Sequence, residues 1–494
     1  MSLTATIQAL HERISRSAFR NLLLWGMQML IFLFIYGAMA VRGGYHWDET
    51  LDFAGQGMYT YLANGRWGLV LWRCIFGHGC AVWLNSLLAG GLLCAAIIVQ
   101  LRVLRVEHTG AQLVYALLYM LQIQFAYQMD YAYQCDATAA GILATSWAAL
   151  QLQKGGLRHL FYATAAVLFA IAVYQSLALN FVVLLGLVML QKITDGQSAT
   201  ALHTIGRACL ACAIALVLWF AVKTALISLI SLPDNVLTYC REYAERINYR
   251  EQLFSAEWYL YLFRMLGTMA HDALLPFTYD GEPFYAASTI AGIILAIVLL
   301  RRAKGGLQTT GGLLLLLGLW IAPFSMYMVV GETWPCYPHT KLAQPIVLAG
   351  FWMIALRHLP GCAWWRRLGV CALVVCSIQA ASLVTRHAEN LQARFEERLH
   401  RLQLAESQGV RLAIESGITP KKGCILYYAD TQNWRSGGLV DFCGDYPALL
   451  YMQGATDAQL YRLHKQHLQE MPEWPAHGAV RVVGDKVIIK GGKI

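Results

Sequence analysis

Residues 21–53 read NLLLWGMQMLIFLFIYGAMAVRGGYHWDETLDF, an apolar run of about twenty residues followed closely by acids. A run of about twenty apolar residues is long enough to cross the hydrocarbon core of a bilayer as a helix. Asp48 and Glu49 then stand side by side, close to the predicted lipid boundary. The stretch predicts a first membrane span and raises the question of why carboxylates follow it.

The composition of the whole chain is typical of a polytopic membrane protein. Of its 494 residues, 57% are hydrophobic and 14% are charged, and the mean hydropathy is +0.47. A soluble globular chain carries about 25% charged residues. The net charge of +9 is modest for this length, and no aromatic and basic motif typical of nucleic-acid binding is present. We therefore expect a lipid bilayer as a partner, and no nucleic acid.

Apolar runs predict a bundle of about eleven membrane spans. Their predicted ranges are 21–41, 80–103, 109–128, 137–153, 157–174, 177–192, 206–231, 285–300, 311–330, 343–357 and 368–385. Cytoplasmic loops of membrane proteins are enriched in Lys and Arg, and the basic residues of six loops in this map fall on one side. The map therefore places the N-terminus in the cytoplasm and the C-terminus outside it. Ahead of the first span, the spacing of Ile7, Leu10 and Ile14 predicts a helix on the cytoplasmic membrane surface.

The map divides the chain into a transmembrane domain, residues 1–385, and a small extracytoplasmic α+β domain, residues 386–494. Within the first, the outer loops 42–79 and 232–284 mix apolar and polar residues, which predicts helices along the membrane surface.

Four patterns predict the elements of the α+β domain. These are a charged helix from His387, a strand in GCILYY, a helix in ATDAQLYRLHKQHLQEM, and a hairpin in AVRVVGDKVIIKGG that turns at Gly484 and Asp485. Cys424 and Cys443 also fall in this domain, and the sequence leaves open whether they are free or form a disulfide.

Asp48 and Glu49 are the first candidates for chemistry. Charged residues at the end of a span often only solvate the exit of the chain. Here the acids are adjacent, follow the first span closely and begin a long outer loop. Because an ionisable residue at the membrane boundary is a functional candidate by default, we favour a catalytic role. Trp47 beside them is a candidate contact to the substrate.

The segment WDETLDFAGQGMYTYLANGRWGLVLW, residues 47–72, carries a family resemblance. It resembles the Gtr-type serotype-converting glucosyltransferases of bacterial O-antigen, which are GT-C glycosyltransferases. Those enzymes have an acidic pair after the first span and a Gly-Arg before an apolar run about fifteen residues later, here Asp48-Glu49 and Gly65-Arg66. The acidic pair is also similar to that of the protein O-mannosyltransferases. Family members often carry a basic residue soon after the acids, whereas Thr50 and Leu51 follow here.

The resemblance implies a GT-C-like bundle that catalyses an inverting sugar transfer in the bacterial inner membrane. The implied donor is a sugar, glucose in the Gtr branch, on a polyprenyl phosphate such as undecaprenyl phosphate. The implied acceptor is a periplasmic lipid-linked glycan such as the O-antigen of lipopolysaccharide, and the implied outcome is serotype conversion. No cofactor is expected. A divalent ion stays open, although the thirteen cysteines follow no metal-ligand spacing.

The chemistry assigns a role to each candidate residue. An acceptor hydroxyl is a poor nucleophile and needs a general base, for which we expect Asp48, with Glu49 orienting the acceptor. The leaving lipid phosphate needs cations, and arginine can hold phosphate oxygens in a two-pronged grip. The candidates for this phosphate are Arg66, Arg73, Lys341 and Lys223. Arginines at this depth also snorkel to lipid headgroups, and Lys223, inside the seventh predicted span, is expected to face a cavity or an acid.

The second outer loop, YQMDYAYQCDATAAG, adds two acids. Asp130 and Asp136 are both candidates for binding sugar hydroxyls or a divalent ion. Asp136 precedes Ala-Thr-Ala-Ala, which favours an N-cap of the fourth span. His339, in the later segment CYPHTK, is either a further substrate contact or a structural residue of a proline-rich turn.

Two other classes of protein compete with the enzyme. A flippase or transporter for polyprenyl-linked sugars would also have many spans, but transporters often contain a repeat of span patterns. This chain has no such repeat, and its predicted outer domain is not typical of a transporter. A structural scaffold would leave the paired acids unexplained.

Overall fold

The computed structural model describes residues 3–42, 57–77, 82–196, 199–232, 236–237, 257–274, 284–302, 305–325, 338–359, 363–419, 425–429, 438–442, 470–484 and 486–491. Trp47, Asp48 and Glu49 lie outside these residues. So do Cys424, Cys443 and most of the helix predicted for residues 455–471.

Helices make up most of the described chain. In order they are α1 (Leu3–Arg42), α2 (Gly57–Ala63), α3 (Trp67–Phe76), α4 (Val82–Val103), α5 (Thr109–Met120), α6 (Gln124–Met129), α7 (Cys135–Lys154), α8 (Leu157–Val173), α9 (Ala178–Thr194), α10 (Ala199–Leu229), α11 (Trp258–Leu274), α12 (Ala286–Arg302), α13 (Gly306–Ile321), α14 (Gln344–His358) and α15 (Ala363–Glu415). Single 3-10 turns lie at Gln175–Leu177, Ala322–Phe324 and Pro338–Thr340.

Each of the eleven predicted spans overlaps a helix, but the boundaries differ and one span is divided. The predicted span 109–128 is two helices, because α5 ends at Met120 and α6 begins at Gln124. The last predicted span and the charged helix predicted after it form one element, the 53-residue α15. The surface helix predicted before the first span is likewise not a separate element, because α1 runs without a break from Leu3 to Arg42.

Five helical segments among the described residues are long and apolar enough to cross a membrane. They are Ala18–Val41, Val82–Val103, Gln175–Thr194, His203–Leu229 and Arg367–Arg394. Large apolar side chains on these helices, such as Phe34, Val217 and Phe220, are exposed. Contiguous exposed apolar surface of this kind is unfavourable in water and suits contact with lipid. The chain is therefore consistent with a membrane protein, and eleven crossings stay a prediction.

The described chain divides into two compact units. The first contains Met1–Arg42, Gly65–Val222 and Glu245–His387. Its core forms where α7 packs between α4 and α8 and where α1 packs on α4. A second group of contacts joins α14 to α5, α9 and α12. Small residues allow these close approaches, as at Gly350, where an added Cβ would overlap the Leu187 side chain.

Two glycines position the start of α3 within this unit. Gly65 has a φ of +76°, a left-handed conformation that costs glycine little. A Cβ on Gly68 would lie 2.8 Å from the backbone carbonyl carbon of Ala172 in α8. The Gly-Arg motif found in the sequence is therefore a tight turn that sets α3 directly against α8.

The second unit contains Gly43–Asn64, Lys223–Ala244 and Ala388–Ile494. Its sheet has the order β2-β1-β4-β3, with β1 (Ile425–Ala429), β2 (Gly438–Phe442), β3 (Val480–Val483) and β4 (Lys486–Gly491). Strand β1 is antiparallel to β2 and parallel to β4, and β3 pairs antiparallel with β4 around Gly484. The predicted strand and the predicted hairpin are confirmed, whereas the periplasmic location of this part stays a prediction.

Candidate active site

A short turn between α6 and α7 is contacted by the charged side chains of Arg66 and Arg73 and by His387. We call residues 130–136 the central turn. The amides of Gln134 and Cys135 both donate to the carbonyl of Tyr131, at 2.9 Å, and hold the backbone in a compact form. From α4, the Asn85 side chain donates to the carbonyl of Ala132 at 3.0 Å. These hydrogen bonds hold the backbone of the turn in one conformation, against which the surrounding side chains pack.

Arg66 reaches the central turn from the residue just before α3. Its Nη1 donates to Oε1 of Gln134 at 3.3 Å, and its guanidinium carbon lies 4.7 Å from the ring centroid of Tyr174. A guanidinium over an aromatic face is attracted by the ring and is held flat against it. Arg66 is half-buried, so it is a positioned cation and not a freely moving surface charge.

Arg73 lies on α3, about two helical turns after Arg66, and is fully enclosed. It is 1% exposed, forms an ion pair with Asp136, and donates from Nε to the carbonyl of Tyr133 at 2.7 Å. Nε1 of Trp72 donates to the other oxygen of Asp136 at 2.9 Å. This environment favours a structural role for Arg73 over the predicted contact with a phosphate.

The same contacts correct the interpretation of Asp136. It was predicted to cap α7, but Gln134 occupies the N-cap position and makes no side-chain capping bond. Asp136 lies in the first turn of the helix, and its carboxylate binds Arg73 and Trp72. The N-cap prediction is wrong because a buried arginine from another helix binds this carboxylate.

Asp130, at the other end of the turn, is paired with a histidine that the sequence did not single out. Nε2 of His387 lies 2.8 Å and 3.0 Å from the two carboxylate oxygens of Asp130. The His387 ring also lies 4.4 Å, centroid to centroid, from the ring of Tyr127. The His387 and Asp130 side chains are 22% and 10% exposed, so the pair is largely enclosed.

The 3-10 turn Pro338–Thr340 packs against α6 and brings two more predicted residues near the central turn. The ring of His339 lies 5.1 Å from the ring of Tyr131. Lys341, two residues later, is 3% exposed, and its Nζ lies 4.9 Å from the ring centroid of Phe324. Lys341 lies over an aromatic face, as Arg66 does, whereas the rings of His339 and Tyr131 meet edge to face.

Buried amides flank the contact between α6 and this 3-10 turn. Both polar atoms of the Gln124 amide and of the Gln344 amide, and Oε1 of Gln128, have no hydrogen-bond partner among the described residues. Buried polar groups almost always bind protein, water or a ligand. These amides therefore suit a ligand that is rich in hydroxyl groups, or ordered water.

The structure brings together part of the predicted site. Arg66, Arg73 and Asp130 contact or belong to the central turn, and His339 and Lys341 lie beside it. Lys223 is half-buried in the apolar part of α10 and belongs to the second unit. The described residues contain no group of three His, Cys, Asp or Glu side chains that could hold a metal ion.

Comparison with known proteins adds one finding. The family model described as Glucosyl transferase GtrII matches residues 44–355 of the chain. The matched region includes Asp48, Glu49, the central turn and the 3-10 turn at Pro338–Thr340. No curated protein and no solved structure matches the chain.

Proposed function

Because the chain belongs to the glucosyl transferase GtrII family, we propose that it transfers glucose from a polyprenyl phosphate to a lipid-linked glycan. Beyond the family, one observation carries the proposal. Arg66 is fixed between Gln134 and Tyr174, in a unit whose apolar helices suit a bilayer. A positioned arginine among apolar helices is suited to a phosphate that is anchored by a lipid tail.

The proposed reaction is a single displacement with inversion. The acceptor hydroxyl oxygen attacks the anomeric carbon of glucose and forms the new glycosidic bond. The bond from that carbon to the phosphate oxygen breaks, and polyprenyl phosphate leaves with the electron pair. The proton of the acceptor hydroxyl passes to Asp48, and Glu49 orients the acceptor.

The cations stabilise the charge that develops on the leaving phosphate. Arg66 is the main candidate, because its planar guanidinium can bind two phosphate oxygens at once. Lys341 and Lys223 remain candidates for the same anion. Arg73 contributes indirectly in this account, because its ion pair with Asp136 fixes the C-terminal end of the central turn.

In the proposed site, polar side chains near the central turn bind the hydroxyl groups of the sugar and of the acceptor. Asp130 accepts hydrogen bonds from the sugar hydroxyls, His339 and Trp47 contact the sugar, and the amides of Gln124 and Gln344 supply further partners. His387 holds Asp130 in place and is a positioning residue. A site with hydrogen-bond partners on several sides discriminates strongly between sugars, since an unpaired buried group is costly.

The position of the membrane explains why Asp48 and Glu49 follow the first predicted span. The lipid tail fixes the donor phosphate at the bilayer surface, so the reacting carbon lies just outside the hydrocarbon. A base at the end of the first span meets the acceptor at that depth. The proposal includes the bacterial inner membrane, eleven spans, a periplasmic domain at residues 386–494 and the O-antigen of lipopolysaccharide as the acceptor.

The test is consumption of a defined donor by the purified protein. The protein is incubated with polyprenyl phosphates that carry glucose, galactose or mannose, with and without a lipid-linked glycan. We expect loss of the glucose donor and gain of one hexose on the glycan, only when both are present. Movement of the intact donor across proteoliposomes, without any new glycosidic bond, would support the transporter instead.

A further inference from the structure

Basic residues of the first unit lie at the C-terminal ends of three helices and in one connection between helices. Lys192 lies in the last turn of α9, Arg302 ends α12, and Arg357 and His358 end α14. Arg105 lies in the connection between α4 and α5. Helix α14 packs against α5, α9 and α12, so these ends belong to one group of helices. We call these five residues the basic cluster.

Hydrogen bonds and charges connect the members of the basic cluster. Nη2 of Arg357 donates to the carbonyls of Leu104 at 2.7 Å and of Arg105 at 3.1 Å, which joins α14 to the connection. The charges of Arg105 and Lys192 act on each other. Burial, together with the positive charges of Arg302 and Arg357, lowers the pKa of His358, and Asp195 opposes this shift. The five residues therefore share one local electric field.

The positive charges of this cluster are offset only in part, by the carboxylate of Asp195. Arg105, Lys192, Arg302 and Arg357 form no salt bridge with a carboxylate in the part of the chain that the structure describes. Helix C-termini attract cations only weakly, and like charges from separate elements repel one another. An anion that binds between them would remove this repulsion.

Two further details point to a ligand at this place. Arg105 has a φ of +53° and is the one described non-glycine residue with a positive φ, a strained conformation often found at binding sites. Nε2 of His358 is buried and has no hydrogen-bond partner among the described residues. A phosphate oxygen or hydroxyl would satisfy this nitrogen.

Exposed apolar side chains lie next to the charges. Leu300 precedes Arg302 by two residues, and Leu356 and Leu359 flank Arg357 and His358. Further back on α12, Ile293 and Ile297 are also exposed. A ligand with a phosphate head and hydrocarbon chains would match the basic cluster and this apolar surface together.

We propose that the basic cluster binds a phosphate group, and that this is the headgroup phosphate of an anionic phospholipid. Basic pockets between membrane helices bind such headgroups. The neighbouring leucines and isoleucines hold the acyl chains of the same molecule. This site is separate from the central turn, and it does not depend on sugar transfer.

The experiment counts lipids bound to the purified full chain by native mass spectrometry in detergent. Binding of phosphatidylglycerol is compared with binding of phosphatidylcholine. Inorganic phosphate is added in a separate series as a soluble competitor. The test variant is Arg105→Gln with Arg302→Gln, two exposed positions where loss of charge leaves the packing intact. The matched control is Lys154→Gln with Arg158→Gln, two exposed basic residues on either side of the connection between α7 and α8.

We expect phosphatidylglycerol to bind more tightly than phosphatidylcholine to the native chain. Each basic residue contributes about fivefold to such binding, so the test variant should lose about twenty-five-fold and the control less than about threefold. Arg302→Gln alone should lose about fivefold. If inorganic phosphate competes at equal concentration, the site stands with free phosphate as its ligand. Equal binding of the two lipids, or equal losses in the two double variants, overturns the proposal.

Discussion

His387 and Asp130 are 257 positions apart, yet Nε2 of the histidine lies within 3.0 Å of both carboxylate oxygens. The contact joins the start of the central turn to α15. It fixes the orientation of an acid that the sequence predicts to bind substrate. The pair therefore connects a helix in the last third of the chain to the candidate active site.

The first prediction concerns this pair. Asp130→Asn and His387→Gln should each lower the melting temperature in detergent, and the double variant should be no worse than the more damaging single variant. Hydrogen bonds to charged groups contribute about 1.5–3 kcal/mol, and a double variant no worse than the worse single variant means a coupling energy of that same size, about 1.5–3 kcal/mol.

A surface ion pair in the second unit serves as its control. Arg411 and Glu415 form an exposed pair on α15, and exposed pairs of this kind contribute little. Arg411→Gln and Glu415→Gln should leave the melting temperature unchanged. Additive losses at Asp130 and His387 would show that their contact does not stabilise the turn.

The second prediction concerns Arg66. Arg66→Lys should weaken donor binding almost as much as Arg66→Ala, because lysine keeps the charge and loses the planar grip on phosphate and the stacking on Tyr174. We expect the apparent KM for donor to rise about ten- to hundredfold in both variants, since a charged hydrogen bond contributes about 1.5–3 kcal/mol. Steady-state kinetics with varied donor measures this change.

Arg158 provides the matched control for Arg66. It too lies over a tyrosine ring, with its guanidinium carbon 5.3 Å from the centroid of Tyr162, but it is exposed at the start of α8. Arg158→Ala should keep the native KM. Full activity and an unchanged KM in Arg66→Ala would remove Arg66 from the site.

The third prediction concerns the buried ion pair of Arg73 and Asp136. Removal of one partner leaves an unpaired buried charge, which costs about 3–5 kcal/mol. Arg73→Met and Asp136→Leu should each reduce the yield of folded protein on size-exclusion chromatography. The double variant, which buries no charge, should recover much of that yield. A well-folded Arg73→Met protein that has lost only donor binding would instead support the predicted contact with phosphate.

Much of the helical architecture was predictable because it follows from long apolar runs. Each run contains a helix, but the predicted ends failed where α1 and α15 continue through a predicted boundary and where the predicted span 109–128 is divided. Between α5 and α6, residues 121–123 leave the helical path, and the Tyr36 hydroxyl donates to the carbonyls of Met120 and Gln122 at 2.9 Å and 2.8 Å. A hydrogen bond from α1 is not visible in the local sequence of α5.

The sequence allowed several residues of the candidate site to be predicted, but it did not allow the contacts between them to be predicted. Arg66 and Asp130 stood out because charged residues are rare in apolar surroundings. His387 did not stand out, because it begins a charged segment that is typical of a soluble helix. Asp136 fitted an N-cap by its local pattern, but only the fold brings Arg73 to it.

The fourth prediction concerns the crossing of the membrane. Reporter fusions after Lys154, Arg302 and Arg366 should report the cytoplasm, because the basic loops lie on that side of the eleven-span map. Fusions near Asp280 and at Ile494 should report the periplasm. A cytoplasmic signal at Ile494 would contradict both the map and the site of transfer outside the cytoplasm.

The measurement that tests the central claim most directly is the single-turnover rate of glucose transfer by Asp48→Asn. Asparagine keeps the size of the side chain but cannot accept the acceptor proton, so the rate should fall about a hundredfold to ten-thousandfold. Donor binding and folded yield should stay near native, and Glu49→Gln should be milder. A dead Glu49→Gln with a native Asp48→Asn would exchange the two roles. Native transfer rates in both variants would contradict the claim that these carboxylates catalyse the reaction.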